Sequence, residues 1–240
     1  MKWITSETTI LSWRKYMKKN EIIIFGCGET ALLAYEYFTH DSEYEVVAFT
    51  VDKEFLNESS LFGLPVIATE EIVKKYPPEC YGAFVAASST KLNRVRKQLY
   101  MKAVGLGYEL VSYVSSRAFV WQNVKIGQNC FILEDNTLQP FTEVGNNVVM
   151  WSGNHLGHRS VIKDHCFISS HCVISGFCEI GESSFLGVNS TLEDGVKLDD
   201  DNFIGAASLI QKSSACRALY QERQTDISKV TTHKLFRIKE

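Results

Sequence analysis

An aliphatic residue recurs every sixth position through most of the second half of the chain. The series is Val114, Val120, Ile126, Ile132, Leu138, Val144, Met150, Leu156, Ile162, Ile168, Ile174, Ile180, Leu186, Leu192, Leu198, Ile204 and Ile210. Valine, isoleucine, leucine and methionine make up roughly a quarter of the chain, so chance does not produce an unbroken run of this length. The period therefore decides what this segment can fold into.

A second column of smaller residues precedes the first by two positions. It reads Ser112, Ala118, Val124, Cys130, Asn136, Thr142, Val148, Asn154, Ser160, Cys166, Cys172, Cys178, Ser184, Ser190, Val196, Asn202 and Ser208. Residues two apart on a strand point to the same side of it. Both columns are therefore expected to face inward, and the remaining residues of each hexad turn a corner.

Alternating strands and corners predict a three-sided coil of about 18 residues, with successive coils stacked at the strand spacing of about 4.8 Å. One long and one small side chain from each side would fill a narrow interior. Nothing interrupts the period between 114 and 210. The sequence thus predicts a parallel β-helix of about five coils without a loop excursion.

The first half of the chain follows a different pattern, in which strand-like and helix-like runs alternate. The expected strands are 21–26, 44–52, 81–87 and 108–114, and the expected helices are 29–38, 68–76 and 89–105. Alternation of this kind is typical of a small parallel α/β sheet, similar to a Rossmann domain.

Four regions follow from the two patterns. They are an N-terminal extension (1–17), a Rossmann-like domain (18–112), a β-helix domain (113–213) and a polar C-terminal tail (214–240). The tail is expected to cover the open end of the β-helix, which would otherwise expose unpaired strand edges.

Composition excludes several classes of protein. A net charge of −3 and a pI near 6.1 argue against a nucleic-acid binder. No apolar run approaches the length of a membrane span, and residues 1–20 lack the apolar stretch of a secretion signal. Seven cysteines without close paired spacing favour a reducing compartment. We therefore expect a cytoplasmic protein without membrane or nucleic-acid partners.

The hexad pattern resembles that of the left-handed β-helix acyltransferases, the hexapeptide-repeat family. With the α/β half in front, the chain from about Lys18 to Ser213 resembles the sialic-acid O-acetyltransferase and bacillosamine-type N-acetyltransferase group. The resemblance implies acetyl-CoA as acyl donor and a homotrimer with the coenzyme between neighbouring β-helices. It implies direct transfer to the amine of a nucleotide-linked amino-deoxysugar.

The same resemblance suggests two catalytic residues. The family carries its general base in a segment that "GHRSVI" (157–162) resembles, and the matching residue is His158. A neutral imidazole suits proton removal at cytoplasmic pH. The family's oxyanion-binding backbone amide lies one coil further on, which corresponds to Gly176.

The sequence departs from the family pattern beside these positions. Family members often follow the base with a carboxylate that orients it, whereas this chain has Arg159. Asp135, Asp164 or a backbone carbonyl are the alternatives. A second histidine that often touches the coenzyme would fall near Phe167, which is not histidine here. Phe167 and His155 are the two residues expected to contact substrate or coenzyme.

A glycine turn, "GCGETA" (26–31), joins the first expected strand to the first expected helix. Backbone amides at a helix N-terminus hold phosphate, although a tight turn needed only for packing has the same sequence. Under the resemblance, the nucleotide-sugar-binding residues are Gly26, Cys27, Gly28, Glu29, Asp52, Ser88 and Lys91.

Four histidines and three cysteines between residues 151 and 178 suggest a metal site at first reading. The cysteines belong to the inward column, however, and the histidines are expected on different outer sides of the coil. We therefore predict no metal. Three alternatives stay open: a sugar O-acetyltransferase, a γ-carbonic-anhydrase-like metal enzyme, and a non-catalytic nucleotide-sugar binding module.

Overall fold

An open α/β sheet leads directly into a three-sided parallel β-helix in the computed structural model, which describes residues 20–221 and 227–238. The predicted fold class, an α/β domain followed by a left-handed parallel β-helix, is confirmed. The predicted N-terminal extension, 1–17, lies outside the described residues.

The α/β domain contains a six-stranded sheet of order β3-β4-β2-β1-β5-β6. Its strands are β1 (Glu21–Phe25), β2 (Glu45–Val51), β3 (Ser60–Leu61), β4 (Leu64–Ala68), β5 (Gly82–Val85) and β6 (Glu109–Leu110). Its helices are α1 (Glu29–His40), α2 (Thr69–Lys75) and α3 (Arg94–Gly105), and Lys53–Phe55 form one 3₁₀ turn. All strands pair in parallel except β3, which is antiparallel to β4.

The hairpin formed by β3 and β4 is the element that the strand and helix pattern missed. Its two-residue turn, Phe62 and Gly63, has positive φ at both positions, as a hairpin turn requires. Phenylalanine is an unusual residue there, so the sequence gives no turn signal. Phe62 is held by stacking on Tyr35, with ring centroids 4.2 Å apart.

The β-helix consists of two-residue strands separated by four-residue corners. In chain order they are β7 (Tyr113–Val114), β8 (Phe119–Val120), β9 (Lys125–Ile126), β10 (Phe131–Ile132), β11 (Thr137–Leu138), β12 (Glu143–Val144), β13 (Val149–Met150), β14 (His155–Leu156), β15 (Val161–Ile162), β16 (Phe167–Ile168), β17 (Val173–Ile174), β18 (Glu179–Ile180), β19 (Phe185–Leu186), β20 (Thr191–Leu192), β21 (Lys197–Leu198), β22 (Phe203–Ile204), β23 (Leu209–Ile210) and β24 (Leu219–Tyr220).

These strands form three sheets that run along the β-helix. The first sheet contains β7, β10, β13, β16, β19, β22 and β24, the second β8, β11, β14, β17, β20 and β23, and the third β9, β12, β15, β18 and β21. Each strand pairs in parallel with the equivalent strand of the next coil, as Ile132 does with Met150. Each aliphatic position therefore stacks on the same position of the neighbouring coil.

Both predicted columns face the interior. The aliphatic residues from Ile132 to Ile210 are buried, as are the cysteines of the small column. Each of these thiols donates to the carbonyl of a residue in the next coil, for example Cys166 Sγ to Gly181 O at 3.1 Å. Burial raises the pKa of the Cys166 thiol to about 12 and that of Cys130 to about 11. These thiols are structural and protonated.

The corners share a backbone feature that composition does not reveal. From Ile126 to Ile204, the third residue after each aliphatic residue has φ in the left-handed region or is a glycine with positive φ; the non-glycine residues from Asn129 to Ala207 have φ between 55° and 64°. Arg159, His165, His171 and Phe177 all have it. Since this conformation costs about 1 kcal/mol or more in an isolated residue, the pairing of the coils must impose it.

The α/β domain packs against the first sheet and against the corner that joins the third sheet to the first. The Arg96 guanidinium of α3 is buried and donates through Nη2 to the carbonyls of His165 and Cys166, both at 2.9 Å. Asn93 Nδ2 donates to the carbonyls of Ser183 and Ser184. The ion pairs Lys97–Glu182 and Arg94–Asp201 lie beside these contacts.

His165 lies on an outer corner of the β-helix, as predicted, but this corner is not exposed to solvent. Helix α3 covers its corner, so its side chain is only 5% exposed and its ring packs edge-on against Tyr100. Its Nδ1 lies 2.9 Å from Asn147 Nδ2, which makes Nδ1 the acceptor of an amide proton. Burial first, and the charge of Lys97 second, lower the pKa of His165 below its ordinary value of 6.5.

The last coil extends beyond Ser213, where the sequence pattern placed the end of the β-helix. Phe203 pairs with Leu219, so this coil is two residues shorter than the others and leaves the six-residue period. The short helix α4 (Thr232–Phe236) follows, and Leu235 and Phe236 are exposed. In the described part of the chain, none of the helices is long and apolar enough to cross a membrane.

The lowered pKa of His165 makes stability depend on pH. The folded protein keeps the ring neutral, whereas the unfolded chain binds a proton near pH 6.5. The free energy of unfolding should therefore fall as the pH decreases below 6.5, by at most about 1.4 kcal/mol per pH unit for this one proton. Urea unfolding between pH 5 and 7.5 measures the slope.

His165→Asn provides the comparison, because every other titratable group stays in place. The variant should show a shallower slope than the wild type over this pH interval. Parallel slopes in the two proteins would mean that the pKa of His165 is the same in the folded and the unfolded state, which would contradict the lowered value.

Candidate active site

His158 projects from the corner that joins the second sheet to the third, and its side chain is exposed. Its backbone is fixed on both sides. The His158 N–H donates to Gln139 Oε1 at 2.9 Å, and its carbonyl accepts the N–H of Phe177 at 2.9 Å. The imidazole packs edge-on against the Phe177 ring, with centroids 4.9 Å apart. The side chain is therefore presented to solvent from a rigid backbone.

Gly176 lies one coil further along the same corner, directly against the His158 ring. A Cβ at position 176 would lie 2.6 Å from His158 Cε1 and 3.0 Å from Nδ1, so a side chain there would displace the imidazole. Within the described residues, the Gly176 N–H donates to none of the hydrogen-bond acceptors. The structure thus brings a free imidazole and a free backbone donor together, on the two residues predicted to form the catalytic centre.

Arg159 turns away from this pair. Its guanidinium lies over the Phe141 ring of the preceding coil, 4.8 Å from the centroid. The carboxylates expected to replace it as orienters lie on other corners. Asp135 pairs with Arg117 at 3.5 Å, and Asp164 accepts the N–H of Asn146 at 2.7 Å. Neither is placed to orient His158.

The two further residues predicted to contact substrate or coenzyme are far apart. His155 lies on the outer face of the second sheet, half-buried, close in sequence to His158. Phe167 lies on the first sheet under the α/β domain, where its ring stacks on Phe185 and lies beneath Arg96. Phe167 thus packs at the domain interface, and its predicted contact with substrate or coenzyme stays a prediction, as does that of His155.

A separate cavity of about 310 Å³ opens at the carboxyl edge of the α/β sheet. It lies beside the glycine turn, and Gly28 is the N-cap of α1. Its lining residues are Cys27, Gly28, Val51, Phe55, Asn57, Glu58, Leu61 and Val66. Burial, with a smaller effect of Glu58, raises the pKa of the Cys27 thiol to about 11.

The glycine turn brings the backbone of Gly26 close to the backbone of Ala86. Gly26 has φ of 127°, and a Cβ there would lie 2.4 Å from the carbonyl oxygen of Ala86. Cys27 and Gly28 then reach the cavity, and Glu29 begins α1 at its mouth. The backbone amides of the first turn of α1 are therefore available to an anion.

The other predicted nucleotide-binding residues do not line this cavity. Asp52 is held by Lys102 at 2.5 Å, a contact that lowers its carboxyl pKa. Ser88 Oγ lies 2.7 Å from Thr90 Oγ1, and Lys91 is exposed with φ of 53°. The structure supplies Phe55, Asn57, Glu58 and Leu61 instead. They follow β2 at the carboxyl edge, a position that strand geometry could have flagged, but their sequence carries no motif.

The two sites lie on opposite sides of one chain. The α/β domain covers the first sheet, whereas His158 projects from the corner between the second and third sheets. In a three-sided β-helix this corner is the one opposite the first sheet, so the packed interior separates the cavity from His158.

Gly176→Ala tests whether the glycine is required by the His158 ring. The added methyl group should displace the exposed imidazole, which can rotate away, so the free energy of unfolding should change by less than about 1 kcal/mol. The side-chain NMR signals of His158 should shift, and Gly28→Ala, where the methyl group meets open space, should leave them in place. An unmoved His158 signal in Gly176→Ala would contradict the close contact.

A scan of the sequence against models of protein families finds no match. Solved structures with the same fold are found instead. The acetyltransferase domain of PglB from Neisseria gonorrhoeae is 23% identical, with a TM-score of 0.74, and the alignment covers 83% of this chain and 95% of that one. PerB from Caulobacter crescentus, solved with CoA and GDP-perosamine, is 22% identical, with coverage of 83% and 91% and a TM-score of 0.72.

A third similar structure is a histidine-to-asparagine mutant of perosamine N-acetyltransferase from Caulobacter crescentus, in complex with CoA and GDP-perosamine. It is 22% identical, with coverage of 83% and 92% and a TM-score of 0.74. The resemblance drawn from the sequence is confirmed at the level of the fold, which the chain shares with these three structures.

Proposed function

We propose that the chain is an acetyl-CoA-dependent sugar N-acetyltransferase that acts on the amine of a nucleotide-linked amino-deoxysugar. The observation that carries the proposal is the pairing of His158 with the free N–H of Gly176 on adjacent coils. The similar structures with bound CoA and GDP-perosamine supply the substrate classes.

The chemistry needs a base and an oxyanion donor, and no covalent intermediate. His158 removes a proton from the sugar amine while the amine nitrogen attacks the thioester carbonyl of acetyl-CoA. The Gly176 N–H donates to the oxygen that becomes negatively charged. Collapse of this intermediate breaks the carbon–sulfur bond, and the protonated His158 returns its proton to the departing thiolate. The products are the sugar amide and free CoA.

The corner beside His158 suits the acyl donor. Phe141 and Phe177 expose aromatic rings on either side of it, and Arg159 adds an exposed positive charge. Aromatic surface packs against an apolar pantetheine arm, and a guanidinium pairs with phosphate. We propose that acetyl-CoA binds along this corner.

The cavity of the α/β domain suits the acceptor. A nucleoside diphosphate would place its negative charge at the N-terminus of α1, beside Gly28. Asn57 and Glu58 add polar groups that can hydrogen-bond a base or a sugar.

Because the cavity and His158 lie on opposite sides of one chain, we propose that each reaction uses two copies. The nucleotide-linked sugar on one copy reaches the His158 corner of its neighbour. Cyclic symmetry makes every such contact equivalent, and a homotrimer is the proposed assembly. Seven free cysteines and the proposed substrates are compatible with action in the cytoplasm.

His158→Ala tests the assignment of the base. The variant should fold as the wild type does, since its side chain is exposed, and should lose at least about 100-fold in kcat. The assay follows CoA release from acetyl-CoA with a panel of nucleotide-linked amino sugars, and mass spectrometry of the product separates an amide from an ester. Turnover at the wild-type rate would remove His158 from the mechanism.

Mixed assemblies test whether the active site is shared between copies. Gly28→Asp keeps a good helix N-cap but places a carboxylate where the diphosphate is proposed to bind, so it should be inactive. Gly28→Asn is the uncharged control. Co-expression of Gly28→Asp with His158→Ala should restore about a quarter of wild-type activity. Each site then has about a one-in-two chance of an intact cavity from one copy and an independent one-in-two chance of an intact His158 from its neighbour. Mixtures without activity would place both parts of the site in the same copy.

A further inference from the structure

We propose that Asp194 is the positioning residue of His158, holding its imidazole in the tautomer that acts as a base. The inference rests on the proposed function, because it assigns a partner to the proposed base. Asp194 lies one coil beyond Gly176 on the same corner, so His158, Gly176 and Asp194 follow one another along the β-helix.

The evidence is the space above Gly176. The point that a Cβ would occupy lies 2.6 Å from His158 Cε1, 2.9 Å from Asp194 Oδ1 and 3.0 Å from His158 Nδ1. The imidazole and the carboxylate therefore reach the same point from opposite sides. Gly176 is not among the glycines with positive φ, so its backbone would accept another residue. Glycine is needed here because the two side chains meet over it.

The imidazole presents one particular edge to this point. Nδ1 is among the three nearest heavy atoms, together with Cε1 and the Asp194 oxygen, whereas Nε2 is not. The Asp194 carboxylate and His158 Nδ1 both border this point without being hydrogen-bonded to each other, and rotation of the exposed Asp194 side chain closes the gap between them. A carboxylate at Nδ1 favours the tautomer with the proton on Nδ1, which leaves the lone pair of Nε2 free. Nε2 is then the atom that takes the proton of the sugar amine.

The neighbouring charged groups are engaged elsewhere. Glu193 Oε1 accepts a hydrogen bond from Gln211 at 2.7 Å, and the Arg159 guanidinium lies over Phe141. Asp194 is exposed, so its carboxylate can rotate among its staggered rotamers. Catalytic hydrogen bonds that are loose in a free enzyme often tighten when substrates bind.

In the reaction, Asp194 moves no proton and touches no substrate. As Nε2 of His158 takes the amine proton, the ring becomes positively charged, and the adjacent carboxylate stabilises that charge. The charge disappears when Nε2 gives its proton to the thiolate of CoA. Asp194 therefore acts on the rate through His158 and should have little effect on the binding of either substrate.

Asp194→Asn tests the inference, with Glu193→Gln as the matched control. Both variants remove one negative charge from adjacent exposed positions, and asparagine keeps the shape and one acceptor oxygen of aspartate. Asp194→Asn should lower kcat about tenfold to a hundredfold and leave KM for both substrates within about twofold. Glu193→Gln should keep wild-type values.

A measurement without substrate gives an independent readout. Nitrogen-15 NMR of histidine-labelled protein distinguishes the two tautomers of His158, with His158→Ala identifying its signals. The wild type and Glu193→Gln should show the proton on Nδ1, and Asp194→Asn should show a mixture. A merely structural role for Asp194 would not change the tautomer.

The outcomes separate this inference from the proposed function. If His158→Ala is inactive while Asp194→Asn keeps the wild-type kcat and tautomer, the base remains assigned and the role of Asp194 is overturned. Equal losses in Asp194→Asn and Glu193→Gln would also overturn it, since charge alone would then explain the effect. Activity that survives His158→Ala removes His158 as the base and leaves the proposed activity in place, whereas a wild-type protein that releases no CoA with any nucleotide-linked amino sugar refutes the proposed function. In both cases the tautomer of His158 still shows whether Asp194 positions the ring.

Discussion

The main-chain pairing of each residue with its equivalent one coil further on is the constraint from which the rest of the structure follows. It places His158 and Gly176 on neighbouring coils of one corner, and it stacks Ile132 on Met150 in the interior. It also imposes left-handed backbone on corner residues such as Arg159, which would avoid that conformation in a free peptide. Side chains therefore vary freely along the outside, while the backbone that carries them does not.

This regularity decides what the sequence could predict. The inward columns, the strand positions and the juxtaposition of His158 with Gly176 are matters of period, and one sequence contains the whole period. The burial of His165 could not be predicted from the period, because the hexad pattern does not show which outer surface the α/β domain will cover. For the same reason Phe167 reads as an exposed outer residue, although it lies in the domain interface.

The residues of the candidate sites also differ in whether the sequence could predict them. The glycine turn is visible in the sequence because close approach to Ala86 excludes every other residue at Gly26. Asn57 and Glu58 reach the cavity through the irregular segment after β2, which has neither a period nor a motif. Asp194 is a solvated aspartate in the sequence, and only its position relative to His158 over Gly176 gives it a role. Residues placed by backbone repetition are predictable, and residues placed by irregular chain or by domain packing are not.

The contacts between α3 and the β-helix decide at which coil the α/β domain sits along the β-helix axis. Arg96 and Asn93 bind main-chain carbonyls, and equivalent carbonyls recur on every coil, about 4.8 Å apart. Those contacts alone would allow the α/β domain to sit one coil higher or lower. Lys97 pairs with Glu182, but the equivalent positions of the neighbouring coils, Asp164 and Asp200, are acidic as well. Arg94 pairs with Asp201, and the equivalent positions of the four preceding coils hold no carboxylate, so this ion pair sets the height of the domain. If the domain binds a nucleotide-linked sugar as proposed, that sugar is held at a fixed level along the β-helix, and surface charges decide which coil it faces.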